Sequence, residues 1–305
     1  MTGLNFVPFC TVIGIATLNR PILLANLLTV MSGQIRDAPE NHVIRIMVVD
    51  NDANSSALEV VETVARAHPQ LRIEYLNEPR RGIGHARNMA FSAVREGEWL
   101  IFFDDDQIPN GRWLNAFMQE RENPDAQVIF GPVTPEFGTA LPHWGSGGWA
   151  WGASRSELTD RHLYRTTGFG NVMFASVVLG SESCRVPLPF HTGPGEDTAV
   201  SLALATEGFK IMYCAGASAV ELIGPERMTV AWVVDRSRAS GAVWRRLALA
   251  GSVPRWRVNG YAIKAILQGA YMAILSFVRI GERGLYLVQA RRRFAFAKGA
   301  LKSRA

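Results

Sequence analysis

The sequence predicts an α/β protein with a mostly parallel, doubly wound sheet and a helical C-terminal extension. Three observations carry that expectation. Short β-rich runs alternate with helical patterns through the first 130 residues, polar residues collect directly after those runs, and the end of the chain turns helical and rich in arginine. With 305 residues, 48% hydrophobic and 19% charged, the chain is long enough to bury a full core and too apolar to be disordered.

The elements follow in order. Thr11–Ala16, Ile44–Val49, Leu71–Tyr75 and Trp99–Phe103 read as strands, and Gln127–Phe130 as a weaker fifth. Helical patterns lie near 21–32, 56–67, 84–95 and 111–122, with Pro21 suited to a first helical turn and Ser55 or Ser56 placed to cap the second helix. From Gly131 to Gly170 the pattern breaks into a loop rich in Gly, Pro and Trp, a length that is usually functional or mobile. A strand at Asn171–Ala175, a helix opening at Glu196–Asp197 and a strand at Lys210–Tyr213 come next. The simplest partition is one catalytic-type domain over 1–245 and a helical, basic extension over 246–305.

In a parallel sheet, ligands bind outside the carboxyl ends of the strands. Here the first strand runs into Thr17-Leu-Asn-Arg20, the second into Asp50-Asn-Asp52 and the fourth into Asp104-Asp-Asp106. No GxGxxG follows the first strand and no GxxxxGK[ST] occurs, so neither a dinucleotide fingerprint nor a P-loop is supported.

The formal charge of +5 hides two unlike parts. Residues 1–235 carry 17 basic and 26 acidic side chains, whereas residues 236–305 carry 15 basic and one acidic, Glu282. The motif-bearing part is acidic, which argues against a nucleic-acid partner. Cys10, Cys184 and Cys214 are too few and too scattered for a disulfide framework or a zinc site, pointing to a reducing compartment. No basic residue precedes Arg20 and Pro8 interrupts the first apolar stretch, a poor secretory signal. The best candidate for a membrane span, Ala265–Val278, holds Gln268 and is bounded by Lys264 and Arg279, so the expected location is cytoplasmic.

Asp104, Asp105 and Asp106 follow a run of apolar residues with no cation in the same segment. Residues i and i+2 of an extended chain point the same way, so Asp104 and Asp106 can converge on a hard divalent cation, magnesium or manganese. An acidic turn that caps a helix before Pro109 would use the same residues. Glu196-Asp197 can likewise be a base or only a dipole-favoured helix start. His85 reads as a helix-start residue, and no Ser-His-Asp arrangement can be argued.

Taken together, Thr17-Leu-Asn-Arg20, Val48-Val-Asp-Asn-Asp52, Arg81-Gly82 with Ala86-Arg-Asn88, Phe103-Asp-Asp-Asp106 and Gly193-Pro-Gly-Glu-Asp197 come in the order and spacing of family 2 glycosyltransferases, whose fold is GT-A. The chain resembles that family over roughly residues 9–245. The resemblance implies a nucleotide-diphospho-sugar transferase dependent on Mn2+ or Mg2+. Asp104 and Asp106 match the DxD pair, with Asp106 favoured as the direct metal ligand. Asp50 matches the contact to nucleobase or ribose, with Thr17 and Arg20 beside it; Arg81, Arg87 and Asp105 fall with the nucleotide-sugar. Asp197, next to Glu196, matches the general base.

Physical chemistry accords with those roles. A departing diphosphate gains negative charge that a cation and guanidinium groups stabilise, and one carboxylate on the opposite face takes the acceptor's proton, giving a single displacement with inversion.

Where relatives carry a histidine after the penultimate strand, this chain has Glu221, itself a legitimate ligand for a hard cation or a partner for Arg227. With Arg227, Trp232, Arg236 and Gly241 it is similar to the bacterial exopolysaccharide, succinoglycan-type glucosyltransferases. That resemblance implies a UDP-sugar donor and a polyprenyl-diphosphate-linked saccharide acceptor. A soluble acceptor, or a non-catalytic nucleotide-sugar-binding scaffold, are the rival readings. Arg227, Arg236 and Arg238 read as diphosphate contacts or as a solvated helix face. Trp144, Trp149 and Trp151 read as stacking platforms for an acceptor sugar or as anchors folding the loop onto a core.

In the tail, Ile263, Ile266, Leu267, Ala270, Tyr271, Ile274, Leu275 and Val278 form one helical apolar stripe. Arg279, Arg283, Arg291, Arg292, Arg293, Lys298, Lys302 and Arg304 follow, interleaved with apolar residues. Such a segment suits peripheral contact with the anionic inner face of a bacterial plasma membrane; a soluble hairpin or dimer interface is the alternative.

Overall fold

The structure, a computed structural model, describes residues 9–123, 125–152 and 158–301. Lys302 and Arg304 lie outside the described residues. The chain divides into two compact units, Met1–Thr134 with Glu157–Glu221, and Pro135–Ser156 with Leu222–Ala305.

The first unit opens with the anticipated alternation: β1 (Phe9–Thr17), α1 (Pro21–Arg36), β2 (His42–Asp50), α2 (Leu58–Ala67), β3 (Ile73–Asn77), α3 (Ile83–Ala93) and β4 (Trp99–Phe103). It continues through β5 (Gln107–Pro109), α4 (Trp113–Glu120), β6 (Val128–Phe130), β7 (Val133–Phe137), β8 (Leu163–Tyr164), β9 (Asn171–Phe174), α5 (Ser176–Leu179), α6 (Glu196–Thr206), β10 (Ile211–Tyr213) and β11 (Ala219–Ile223). The chain passes between the units within β7 and β11.

Eight strands form one sheet in the order β3-β2-β1-β4-β9-β6-β10-β8. The β3-β2-β1-β4 half and the β6-β10 pair are parallel; β9 runs antiparallel between β4 and β6, and β8 closes the far edge antiparallel. The α/β, mostly parallel expectation holds. The direction of β9 was not readable, because all four of its residues are buried and an apolar run has the same composition either way. Ile13, Ile15, Ile46, Val48, Ile101 and Phe103 bury the sheet face against Leu24, Leu28 and Met31 of α1 and Trp113 and Phe117 of α4.

Two local expectations are corrected. The second helix is not capped by serine: its N-cap is Ala57, Ser55 adopts φ 55°, and the Ala57 N–H donates to Asp50 Oδ2 at 2.8 Å, which ties the helix start to the preceding strand. The segment 131–170 is not one loop, since it holds β7, a 3-10 stretch at His143–Trp151 and β8.

The second unit contains α7 (Val230–Leu249), α8 (Arg255–Val278) and α9 (Arg283–Leu301), with the 3-10 stretch. Helices α7 and α9 approach backbone to backbone: a Cβ at Gly241 would collide with the Phe296 carbonyl, and one at Gly299 with the Arg238 carbonyl. Trp151, Ile223, Val233 and Val288 form one buried cluster of this unit, with Trp144, Trp149 and Trp232 packed against it, and Val258, Ala262, Ala265, Ala297 and Ala300 form another.

Candidate active site

Strand register builds the site. Thr17, Asp50 and Asn77 stand at one level at the carboxyl ends of β1, β2 and β3. The chain moves outward from β1 to β2 and β3 on one side and returns to β4 on the other, so a crevice opens past β1 and β4, where such sheets bind ligands. A cavity of about 440 Å3 lies there, lined by Thr17 and Arg20 after β1, Asn51 after β2, Arg81, Gly82 and Arg87 around the start of α3, and Asp104, Asp105 and Asp106 after β4.

The three aspartates do different things. Asp105 is buried and accepts from Thr17 Oγ1 at 2.7 Å and Arg20 Nη1 at 2.8 Å, which ties the end of β1 to the turn after β4. Arg20 also reaches Asp106 at 3.3 Å. Asp104 accepts from Arg87 Nη2 at 3.3 Å, and its backbone N–H donates to the Gly170 carbonyl at 3.0 Å. A Cβ at Gly170 would stand 2.5 Å from Asp104 Oδ2, so only glycine lets the approach to β9 pass that carboxylate.

Arg87, on the second turn of α3, is nearly fully buried and joins two parts of the site. One guanidinium nitrogen bonds Asp104 and another bonds Glu196, the first residue of α6, while the group lies 5.3 Å from the Phe169 ring centre. Asp197 follows Glu196, and its Oδ1 accepts from the Thr198 N–H at 2.6 Å and hydroxyl at 3.1 Å. No donor bonds Oδ2 among the described residues, and Gly168 leaves it clearance, with a Cβ there 3.7 Å away. Asp197 does not itself line the cavity; Arg87 and Glu196 connect it.

The electrostatics favour added positive charge. Burial pushes the Asp104 carboxyl up to about 6; Arg87 pulls it down, while Asp106, Asp105 and Glu221 push it further up. Burial also raises Asp105, against its bonds to Thr17 and Arg20, and raises Glu196, against the pull of Arg87 and with the push of Asp197. Glu221 is placed by β-pairing opposite Gln107, one residue beyond Asp106. Among the described residues no three His, Cys, Asp or Glu side chains form a metal cage. Asp104 and Asp106 nonetheless put hard oxygen donors at the cavity, the chemistry that a magnesium or manganese ion completed by water and substrate phosphate would use.

The structure does not bring every anticipated residue to the cavity. Asp50 is fully buried, and its oxygens accept from Ala57 N, from Asp52 N at 3.1 Å and from Tyr75 Oη at 3.0 Å. Three contributors have no role of their own in the sequence reading, although Asn51 and Gly82 stand within its quoted motifs. Asn51 accepts from Gly82 N at 2.8 Å and donates to the Glu78 and Arg80 carbonyls, fixing the loop that presents Arg81. Gly82 adopts φ 142° against the His191 carbonyl, and Gln107 is buried beside Asp104. Asn51 and Gln107 each sit one residue past a quoted aspartate, which is the signal that could have found them.

Residues 12–177, more than half of the chain, match the family model described as Glycosyl transferase family 2. The chain belongs to glycosyl transferase family 2. This glycosyltransferase is 28% identical over 288 residues to the succinoglycan biosynthesis protein ExoM of Rhizobium meliloti (strain 1021), across 91% of this chain and 88% of that protein. Among solved structures it is similar to the mannosyltransferase PcManGT from Pyrobaculum calidifontis in complex with GDP-Man and Mn2+, with TM-score 0.56, 19% identity, and 94% and 87% of the two chains covered. It is also similar to S. aureus TarS 1-349, with TM-score 0.54, 16% identity, and 96% and 90% covered. These likenesses show the GT-A fold.

In the second unit of this glycosyltransferase, Trp151 is buried against Phe137 and Trp144 at ring distances of 5.2 and 5.7 Å and donates to the Arg227 carbonyl at 3.0 Å. Trp149 donates to the Trp144 carbonyl and carries Arg292 on its face at 5.2 Å. Of the two readings of these tryptophans, Trp151 is placed as a core anchor, while Trp144 and Trp149 are half-buried at its rim. Arg227 and Arg236 both lie 5.2 Å from the Trp232 ring centre, so these two cations share one aromatic ring.

Proposed function

We propose that this glycosyltransferase moves a hexose from a nucleotide-sugar, a UDP-sugar, to a sugar hydroxyl of a polyprenyl-diphosphate-linked saccharide in exopolysaccharide or other cell-surface polysaccharide synthesis, with inversion. The observation that carries it is the Arg87 bridge, because it joins the aspartate cluster of a donor cavity to the Glu196-Asp197 pair. A binding protein has no use for that second carboxylate site.

Each residue then has a task. Arg20 and Arg81 line the cavity and present guanidinium groups to a diphosphate, and Arg87 fixes Asp104 and Glu196 in relation to each other. Asp104 and Asp106, with Glu221 beside them, would hold a magnesium or manganese ion, which when bound supplies positive charge to the departing diphosphate. Thr198 holds Asp197 Oδ1, so Oδ2 accepts the proton of the attacking hydroxyl. The new bond forms from the acceptor hydroxyl oxygen to the anomeric carbon as the bond to the diphosphate oxygen breaks, and the electron pair leaves on the nucleoside diphosphate. The succinoglycan relative supports the acceptor class, and the basic C-terminal helices support work at the cytoplasmic face of the plasma membrane as a peripheral protein.

The test is transfer by purified protein with manganese, using UDP-, GDP- and dTDP-sugars and a saccharide acceptor with and without its prenyl diphosphate. A UDP-sugar and the prenyl-linked acceptor are expected to be required. Transfer from no donor would overturn the enzymatic reading, and equal transfer to the free saccharide would overturn the acceptor.

A further inference from the structure

Helix α8 presents an apolar face to solvent. Trp256, Ile263, Leu267, Ile274 and Val278 recur at helical spacing and are 57–72% exposed, with Phe277 at 73% beside them. The opposite face, Val258, Ala262, Ala265, Gly269 and Ser276, is buried. At about 200 Å2 for a large side chain, the exposed stripe presents several hundred Å2 of contiguous apolar surface, more than soluble proteins leave without an occupant. The helix is 24 residues long with mean hydropathy 1.4 over its most apolar window, long and apolar enough by composition to cross a membrane.

Charge identifies the occupant. Arg255 and Arg257 stand at one end of the stripe, Lys264 lies within its span and Arg279 and Arg283 stand at the other end, and Glu282 is the sole acidic residue from 236 to 305. An apolar face framed by cations, with Trp256 at its margin, matches the interface of an anionic bilayer. Beside that face is a cavity of about 310 Å3, lined by Arg245 of α7, Arg255, Val258 and Asn259 of α8, and Ala300 of α9. Arg245 Nε is buried and has no hydrogen-bond partner among the described residues. Two arginines, one of them with an unpartnered Nε, and an amide are the chemistry of a phosphate site.

We propose that α8 lies in the plane of an anionic membrane with this face inserted, and that the Arg245–Arg255–Asn259 cavity takes the phosphate of a lipid headgroup. The inference deepens the peripheral membrane contact proposed above and rests on that reading. Its test uses neither donor nor acceptor, so its failure is distinct from a failure of glycosyl transfer.

The experiment is flotation of the full chain with vesicles of phosphatidylglycerol and phosphatidylcholine in equal parts, against phosphatidylcholine alone. Binding is expected to the anionic vesicles and to be released by alkaline carbonate. L267E/I274E is expected to weaken binding more than about a hundredfold, from two large apolar side chains. R245Q/R255Q is expected to weaken binding to the anionic vesicles about thirtyfold, at roughly fivefold per arginine, and to reduce the preference for phosphatidylglycerol without removing it. Unchanged circular dichroism in both variants separates these losses from unfolding. Four results would each overturn the proposal: equal binding to neutral vesicles; retention after carbonate, meaning that the helix spans; a dimer that L267E/I274E dissociates without any vesicle binding; or displacement by millimolar inorganic phosphate, meaning a site for the free anion.

Discussion

Arg87→Met removes a buried guanidinium from between two carboxylates while keeping a side chain that fills the space against Phe169 and Phe102. Glu196, 6% exposed, is left without its cation. Breaking a buried pair from one side costs about 3–5 kcal/mol, or roughly 6–20 °C in Tm at about 2–4 °C per kcal/mol for a protein of this size. The deficit carries a pH signature. Burial already holds the Glu196 carboxyl above its ordinary value of 4.5, and losing Arg87 raises it further. The folded state then resists ionising Glu196 while the unfolded chain does not. The penalty is therefore absent below the unfolded value, and it grows as pH rises toward the folded one. Thermal melts of both proteins at about pH 5 and about pH 8 should show the larger gap at the higher pH. A gap independent of pH, or below about 1 kcal/mol, the worth of an exposed ion pair, would refute the argument.

Other expectations concern positions away from that bridge. Gly241→Ala and Gly299→Ala each insert a methyl where α7 and α9 meet through backbone and should cost at least about 1–3 kcal/mol by urea denaturation. Trp151→Ala should cost about 3–5 kcal/mol with little change in the KM for donor, as befits a core anchor. In Asp50→Asn a fully buried acceptor of three hydrogen bonds loses its charge, so stability should fall by about 1.5–3 kcal/mol while calorimetric donor affinity is kept.

The parts of the fold visible in the sequence are those where one physical signal dominates. Strands β1, β2 and β4 are β-branched or aromatic runs that end in polar residues, so their ends and the crevice are legible in the sequence. Asp104, Asp105 and Asp106 announced themselves as carboxylates at a strand end, yet their division of labour did not. Asp105 turns inward because Thr17 and Arg20, far away in sequence, meet it there. The family resemblance gives Asp50 a contact to nucleobase or ribose, and the fold adds that the Ala57 backbone and Tyr75 bond its oxygens. The tail's apolar stripe was legible as periodicity, but which face α9 covers depends on a helix about 30 residues away. The orphaned Arg245 Nε leaves no trace in linear spacing, because the cavity around it is made by three helices.

The central claim is that Asp197 takes the proton while the cavity at β1 and β4 holds the donor. Single-turnover transfer by Asp197→Asn, run beside calorimetric titration of the same variant with the UDP-sugar and manganese, tests it most directly. The account predicts donor affinity within about threefold of the parent and transfer slowed by about 100-fold or more. Transfer at the parent's rate, with the donor still bound, would contradict it.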